Sequence, residues 1–291
     1  MNVVSGLSSP ADYEVVASEV FGGPPFMTAK ALALKYLPSP AIHQLRAVKS
    51  YLAVCFFCPY EARHNYEGFD LTLHITDRTG QLWYDHDWEE LPEHTLLKTL
   101  KLKPGAKVFD LGAHQGVVAL MVSRMVGESG SVVALEPGQH NFETALKNKQ
   151  ANAAHNLTML CAAASDRSGE ISFSDGMNGR IGPGLKRPAY SVDDLARKFG
   201  VPDVVKIDVE GYELRVLEGA TATLAAKPDW YVEVHSGLGL EANGGSPEQI
   251  VELFRDAGYN LCIQDDIHYR FPFRPLDAIP HHWFQLVATA S

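Results

Sequence analysis

From about Gly105 onward, short apolar segments alternate with longer segments in which apolar residues recur at helical spacing. Strands that alternate with helices form a mostly parallel sheet with helices on both faces. Such a repeat is typical of one α/β domain. The predicted strands are AKVFDLGA, SVVALEP, NLTMLCAAA, DVVKIDV, DWYVEVH, YNLCIQD and WFQLVATA.

Helices are predicted between the first six strands. SVDDLARKFG has Ser191 as its predicted N-cap and Gly200 beyond its end, and GYELRVLEGATATLAA is predicted as one helix. The segment before the last strand, DIHYRFPFRPLDAIPHH, has no helical period. The seventh strand is therefore predicted to return antiparallel beside its neighbour.

Residues 1–100 are predicted to form an N-terminal extension, and residues 101–291 the main domain. The extension contains one helical segment, PAIHQLRAVKSYLAV, and one segment with strict two-residue alternation, FDLTLHITD. DRTG then predicts a turn and QLWYD a partner strand. We expect this helix and hairpin to cover a substrate or to form an oligomer contact.

Charge and hydropathy exclude several classes of protein. The formal net charge is -10 and the isoelectric point is about 5.6, so nucleic acid is not the expected partner. No apolar run has the length of a membrane helix, and the first residues lack the pattern of a signal peptide, so the cytoplasm is the expected location. The pair of cysteines in CFFC lacks further zinc ligands at suitable spacing and is interpreted as reduced cysteines in an apolar segment.

The first strand leads into a glycine loop, DLGAHQG, that predicts a ligand site. Gly112 and Gly116 allow a sharp turn and a close approach of the backbone to a ligand. The next helix then begins with free N–H groups, which suit an anion. Glu136 follows the second strand, 24 positions after Gly112, about where an acid that binds ribose hydroxyls is expected.

The spacing of the glycines favours one ligand over another. A dinucleotide site has the pattern GxGxxG, whereas this loop reads GxxxG and lacks the middle glycine. S-adenosylmethionine fits better, with its amino-acid part near Asp110 and Gly112 and its ribose on Glu136. A nicotinamide-dependent oxidoreductase and a non-catalytic binding protein remain the alternatives from other classes.

Several successive motifs resemble those of the FkbM-type methyltransferases: VFDLGAHQG, VVALEPGQHNFETALKN, CAAASDRSGEISF, SVDDLARKFGVPDVVKIDVEGYELRVLEGA and WYVEVH. The resemblance covers roughly residues 69–236. It implies a Rossmann-like class I methyltransferase fold with a seven-stranded sheet and an antiparallel last strand. It also implies S-adenosylmethionine-dependent methylation, mostly at hydroxyl groups of sugars, polyketides and other secondary metabolites.

The resemblance also assigns cofactor contacts. The loop would hold the methionine part, Glu136 the ribose, and Ala163 and Asp166 the adenine, while Asp208 would lie beside the cofactor. The loop departs from the family pattern, since His114-Gln115 stands where Asn-Ile is common, which could change how the loop meets the substrate. The residues expected in the methionine subsite are Asp110, Gly112, Ala113, His114 and Gly116.

Charged residues end the fourth and fifth strands, where the acceptor should lie. An alcohol needs a positioned base, which contributes about 10²–10⁴ in rate. Asp208 is the best candidate for touching the acceptor, and His235 has the right pKa range for a base. Lys206 would keep the neighbouring carboxylates ionised. The predicted catalytic residues are Lys206, Asp208, Glu233 and His235.

Asp208, Glu233 and His235 also resemble a carboxylate–imidazole site for a divalent ion, but no spacing rule requires one, and no metal ligand is predicted. The predicted function is O-methylation of a small molecule, with an N- or carboxyl-acceptor as the alternative within the class. Neither a membrane nor a nucleic acid is expected as a partner, and a homo-oligomer is left open.

Overall fold

The computed structural model describes residues 56–174, 179–266 and 271–290. Its largest sheet has eight strands in the order β13-β12-β14-β11-β10-β3-β4-β5. The strands of this sheet are β3 (Lys107–Leu111), β4 (Ser131–Leu135), β5 (Leu157–Leu160), β10 (Val204–Ile207), β11 (Asp229–Val234), β12 (Tyr259–Gln264), β13 (Arg274–Pro275) and β14 (Phe284–Ala290).

The predicted strand directions are confirmed. β3, β4, β5, β10 and β11 pair in parallel, whereas β14 lies between β11 and β12 and is antiparallel to both. The order reverses between β3 and β10, because β4 follows β3 on one side and β10 lies on the other. Ligands bind at such a switch point, beyond the carboxyl ends of the strands.

Helices cover both faces of this sheet and bury its apolar side chains in two cores. α5, α6, α7 and α8 pack on one face, and α2, α3 and α4 pack on the other together with the hairpin described below. The helices are α1 (Arg78–Tyr84), α2 (Pro92–Thr99), α3 (Val117–Val126), α4 (Gln139–Ala151), α5 (Val192–Phe199), α6 (Glu213–Glu218), α7 (Thr221–Ala225) and α8 (Pro247–Asp256). Among the described residues, no helix has the length and apolar character needed to cross a membrane.

The hairpin before the main sheet differs from the sequence prediction. β2 (Phe69–Ile75) pairs with β1 (Tyr60–Tyr66), which precedes it, and not with QLWYD. QLWYD lies in α1 and just after it, because the Asp77 side chain accepts a hydrogen bond from Gly80 N and caps the helix. The predicted turn at DRTG is therefore a helix start. The predicted helix PAIHQLRAVKSYLAV lies outside the described residues.

Two further predictions are corrected. NLTMLCAAA is broken into β5 and the short β6 (Ala163–Ala164). GYELRVLEGATATLAA forms two helices, α6 and α7, because the chain turns at Gly219, where a Cβ atom would lie 2.5 Å from the Ser165 carbonyl oxygen. The sequence pattern also missed a four-stranded sheet in the order β6-β9-β7-β8. Its other strands are β7 (Gly169–Ser174), β8 (Arg180–Ile181) and β9 (Leu185–Tyr190).

Cysteine pairing is absent within the part of the chain that the structure describes. Cys58, Cys161 and Cys262 form no disulfide bond there, whereas Cys55 lies outside the described residues.

Glu93, near the start of α2, is a carboxyl group buried under the main sheet. Its side-chain atom Oε2 has no hydrogen-bond partner among the described residues. Burial raises the pKa of Glu93 above its ordinary value, although His94 and Lys206 act in the opposite direction. The folded protein therefore binds a proton at Glu93 more tightly than an exposed glutamate would.

Glu93→Gln is expected to reduce the loss of stability at high pH. The folded state holds the Glu93 proton more tightly than the unfolded chain does. The stability of the unmodified protein therefore falls as pH rises from the unfolded pKa through the raised folded pKa, by up to about 1.4 kcal/mol per pH unit. Glutamine cannot ionise and escapes this loss. Urea unfolding at about pH 5 and about pH 8 measures the difference. The exposed Glu89→Gln should behave like the unmodified chain, and an equal pH dependence of all three proteins would contradict the assignment.

Candidate active site

The glycine loop between β3 and α3 is pressed against the end of β10. Gly112 has a φ of 95°, and a Cβ atom there would lie 1.8 Å from the Asp208 carbonyl oxygen. The Asp208 N–H donates to the Leu111 carbonyl oxygen at 2.9 Å and holds the two segments together. Only glycine combines this φ with this approach. The loop thus forms a close-fitting surface at the switch point of the sheet, the glycine floor of the site.

Glu136 lies immediately after β4 and faces this loop. Its Oε2 accepts a hydrogen bond from the His114 N–H at 3.0 Å, and its Oε1 accepts one from the Gly138 N–H at 2.8 Å. The residue is only 7% exposed, so the carboxylate is held in one orientation. Each carboxylate oxygen can accept more than one hydrogen bond, which leaves capacity for ligand hydroxyls.

The unusual pair His114-Gln115 connects the loop to α1. The Tyr84 hydroxyl lies 2.8 Å from His114 Nδ1, and Gln115 Nε2 donates to Asp77 Oδ2 at 2.6 Å. The Trp83 ring centroid lies 5.1 Å from that of His114. These contacts place the aromatic end of α1 beside the glycine loop. The helix that follows the hairpin therefore contributes to the wall of the site.

Lys206 is a largely buried cation at the centre of the site, with a side chain that is 15% exposed. Its Nζ lies 3.2 Å from Asp110 Oδ1 and 3.5 Å from Asp208 Oδ2. Burial disfavours the ammonium, but Asp110 and Asp208 outweigh it and raise the pKa of Lys206 above its ordinary value. Lys206 therefore stays charged and holds the ends of β3 and β10 together.

His235 follows β11 and points its two ring nitrogens at carboxylates. Nδ1 lies 2.9 Å from Glu213 Oε1, and Nε2 lies 4.0 Å from Asp208 Oδ1, 3.7 Å from Glu210 Oε2 and 3.9 Å from Glu233 Oε1. Burial alone would lower the pKa of His235, but the bond to Glu213 and the surrounding carboxylates raise it well above its ordinary value.

Glu233, on β11, is held by a residue far away in the sequence. Its Oε1 accepts a hydrogen bond from Trp283 Nε1 at 2.6 Å. Burial, together with the nearby carboxylate of Asp208, raises the pKa of Glu233. Glu233 Oε1 also lies 3.9 Å from His235 Nε2, so the two side chains meet at the carboxyl end of β11.

Asp208 is more exposed to solvent than His235 and Glu233. Its side chain is 30% exposed, compared with 5% for His235 and 16% for Glu233. Its two oxygens face different neighbours, with Oδ1 toward His235 and Oδ2 toward Lys206. The four predicted catalytic residues are therefore close together in space, with Asp208 at the accessible side.

The predicted adenine contacts are less well supported by geometry. Ala163 is buried in β6 and pairs with Ala189, while the Asp166 carboxylate accepts a hydrogen bond from the Ser165 hydroxyl. The described contacts of these residues do not extend to the glycine loop. Their role in adenine binding remains a prediction.

Four residues that contact the site were not singled out from the sequence. Glu213 looks like a solvated residue at a helix start but is fully buried, and its Oε1 also accepts from the Gly211 N–H at 2.7 Å. The Asp77 cap in DRTG was a local signal that could have placed α1 and its Tyr84 near the loop. The other positions depend on tertiary contacts. The missed residues are Tyr84, Arg180, Glu213 and Trp283.

The order of the sheet, the glycine floor and the charged residues at the carboxyl ends of β10 and β11 define a class I methyltransferase domain. The domain model described as "Methyltransferase FkbM domain" matches residues 110–261, which is more than half of the chain and includes every predicted site residue. The protein belongs to this FkbM methyltransferase family.

A curated relative is hexuronic acid methyltransferase AglP of Haloferax volcanii. It is 29% identical over 159 residues, which cover 52% of this chain and 62% of the relative's length. The matched region is therefore a little over three fifths of that relative.

Similar solved structures include an S-adenosylmethionine-dependent methyltransferase of Aquifex aeolicus and an S-adenosylmethionine-dependent O-methyltransferase of Thermotoga maritima. The first is 16% identical, with a TM-score of 0.42, and the match covers 74% of this chain and 94% of that one. The second is 12% identical, with a TM-score of 0.44, and the match covers 78% and 77% of the two chains.

S-adenosylmethionine is the cofactor that the family implies, and the described residues fit it. The floor at Gly112 has no room for a side chain, and the free N–H groups at the start of α3 suit a carboxylate. Asp110, buried next to Lys206, offers a carboxylate to an ammonium group. Glu136 is positioned to accept hydrogen bonds from ribose hydroxyls.

Proposed function

We propose that the protein transfers a methyl group from S-adenosylmethionine to a hydroxyl oxygen of a sugar or a related small molecule. The observation that carries the proposal is the position of Asp208. Its backbone forms one side of the glycine floor, while its partly exposed carboxylate belongs to the charged cluster at β10 and β11. One residue thus joins the cofactor subsite to the acceptor subsite.

The cofactor supplies an electrophilic methyl group, so the protein must orient the acceptor and remove its proton. Asp208 would accept the hydroxyl proton as the oxygen attacks. Lys206, 3.5 Å from Asp208 Oδ2, places a positive charge beside this carboxylate. His235 and Glu233 orient the other side of the carboxylate and fix the acceptor pocket.

A sugar acceptor is supported by two observations. The curated relative acts, by its name, on a hexuronic acid. The side of the site formed by α1 carries aromatic rings, with Trp83 and Tyr84 beside His114, and aromatic rings suit the apolar faces of sugars. The extension that contains α1 would then act as part of the substrate cap.

Isothermal titration with S-adenosylhomocysteine tests the cofactor assignment, and we expect one site per chain. Transfer of a labelled methyl group is then measured with a panel of glycosides of hexuronic acids and neutral hexoses. No binding of S-adenosylhomocysteine at about millimolar concentration would contradict the proposed function.

The type of bond formed separates hydroxyl from carboxyl methylation. A methyl ether withstands mild alkali, whereas a methyl ester releases methanol. We expect the labelled product to keep its methyl group in alkali. Release of labelled methanol would assign the acceptor as a carboxylate and would leave the cofactor assignment intact.

A further inference from the structure

We infer that Asp208, Glu233 and His235 bind a divalent metal ion that also holds the acceptor hydroxyl. The inference deepens the proposed function at the same site. One atom from each side chain lies within 4.8 Å of the other two. Metal–ligand bonds of about 2.0–2.2 Å place opposite ligands about 4.0–4.4 Å apart, so small side-chain shifts complete the geometry.

The orientation of His235 is an independent observation that points to a ligand. Its side chain is only 5% exposed, and Nδ1 lies between two acceptors, Glu213 Oε1 at 2.9 Å and the Glu233 carbonyl oxygen at 3.2 Å. These acceptors place the proton on Nδ1 of the neutral ring. A bound ion would take the place of the second ring proton, on Nε2, which faces the cluster and has no hydrogen-bond partner within 3.5 Å among the described residues.

Glu213 is hydrogen-bonded to His235 in the way that carboxylates are to metal-bound histidines. Metal-bound histidines usually donate their second ring N–H to a carboxylate or carbonyl oxygen, which fixes the ring and raises its basicity. Glu213 is itself fully buried and also accepts from the Gly211 N–H. The carboxylate therefore serves as a fixed acceptor behind the histidine.

The charge of the cluster also favours a divalent cation. Five carboxyl groups face two permanent cations, Lys206 and Arg180, when His235 is neutral, and the crowding of these acids is one cause of the raised pKa of Glu233. Lys206 occupies the Oδ2 side of Asp208 and leaves Oδ1 toward His235. The carboxyl groups are those of Asp110, Asp208, Glu210, Glu213 and Glu233.

The ligand atoms favour a transition metal. Two carboxylate oxygens and one imidazole nitrogen suit Mn²⁺, Fe²⁺, Co²⁺ or Zn²⁺ better than Ca²⁺, whose ligands are oxygens. Three protein ligands leave coordination positions open. Two neighbouring hydroxyls of a sugar could occupy such positions.

The ion would supply the acidity that an alcohol lacks at neutral pH. With the ion bound, Asp208 serves as a ligand and no longer as the base, and the acceptor hydroxyl on the ion loses its proton to Glu210 or to solvent. The oxygen then attacks the methyl carbon, a C–O bond forms, the C–S bond breaks, and the electron pair remains on sulfur. The products are the methyl ether, S-adenosylhomocysteine and one proton.

The test is a titration of the metal-stripped full chain with Mn²⁺. Binding is measured as the loss of the electron paramagnetic resonance signal of free Mn²⁺. We expect one strongly bound ion per chain, displaced by Zn²⁺. Asp208→Asn and His235→Gln should remove this binding. Glu213→Gln should weaken it about 10–100-fold, as loss of such an outer partner does. Glu218→Gln is the matched control, because Glu218 lies on the same helix but is 40% exposed and pairs with Arg215.

S-adenosylhomocysteine binding and thermal unfolding of each variant show whether the site is still folded. Two results would overturn the inference: weak binding of Mn²⁺ and Zn²⁺ by the unmodified chain, or binding by folded Asp208→Asn that equals that of the unmodified chain. Retained S-adenosylhomocysteine binding in either case would leave the proposed function standing, with Asp208 as the base. If the unmodified chain did not bind S-adenosylhomocysteine, the proposed function would be contradicted.

Discussion

Gly112→Ala is expected to abolish binding of S-adenosylhomocysteine. The new Cβ atom would lie 1.8 Å from the Asp208 carbonyl oxygen, so either the loop or the end of β10 must move. Such overpacking, added to the cost of a left-handed conformation, should lower the free energy of unfolding by about 2–4 kcal/mol. A displacement at the floor of the site should reduce the affinity at least about 100-fold.

Gly105→Ala is the matched control for this variant. Gly105 precedes the opposite end of β3 and has a φ of 91°, close to the 95° of Gly112, but a Cβ atom there would only meet Ser129 Oγ at 3.6 Å. We expect this variant to lose about 1–2 kcal/mol of stability and to bind S-adenosylhomocysteine normally. Urea unfolding and isothermal titration measure both properties. Equal affinities of the two variants would show that the close approach at Gly112 does not shape the cofactor subsite.

Asp208→Asn is expected to lower the rate of methyl transfer by about 10²–10⁴ while S-adenosylhomocysteine still binds. Asparagine has the shape of aspartate, but it cannot accept a proton and is a poorer metal ligand. The Asp208 carbonyl oxygen that meets Gly112 belongs to the backbone and is unchanged. The cofactor floor should therefore persist.

Single-turnover transfer to the acceptor found in the glycoside panel gives the rate, and isothermal titration gives the affinity. Asp256→Asn, at the exposed end of α8, should leave both unchanged. Full activity of Asp208→Asn would mean that another residue removes the proton, and the assignment of Asp208 would be wrong.

The main sheet could be predicted from the sequence because its signals are local. Most of the strands are apolar runs of suitable length, and most of the helices have helical spacing of their own, in some cases with caps, as at Ser191 and Gly200. The long segment without a helical period before β14 was enough to predict an antiparallel return. Parallel neighbours then bring Asp208 and His235 to the same edge.

The hairpin was harder to predict because its signals conflict. QLWYD has the composition of a strand, and the Asp77 cap that makes it helical is a single side chain. β2 is held by contacts with α4 and the residue that follows it: Asn148 Oδ1 accepts from the His74 N–H, and Asn152 Oδ1 accepts from the Thr72 N–H. Both contacts join residues more than 70 positions apart.

The outer part of the candidate site depends on equally distant contacts. Glu213 is buried because His235, 22 positions later, returns to it, and Trp283 reaches Glu233 across 50 positions. A sequence pattern shows which residues end each strand. It does not show which side chain lies behind a histidine, and that contact is what distinguishes a possible base from a metal ligand at His235.

The position of β14 has a consequence for synthesis on the ribosome. This strand, residues 284–290, lies inside the sheet between β11 and β12 and not at its edge. Until it has emerged from the exit tunnel, β11 lacks one neighbour, and Glu233 lacks the nearby Trp283. The segments of the glycine floor therefore precede residues 284–290 in synthesis, whereas the proposed acceptor subsite is complete only after these residues have emerged.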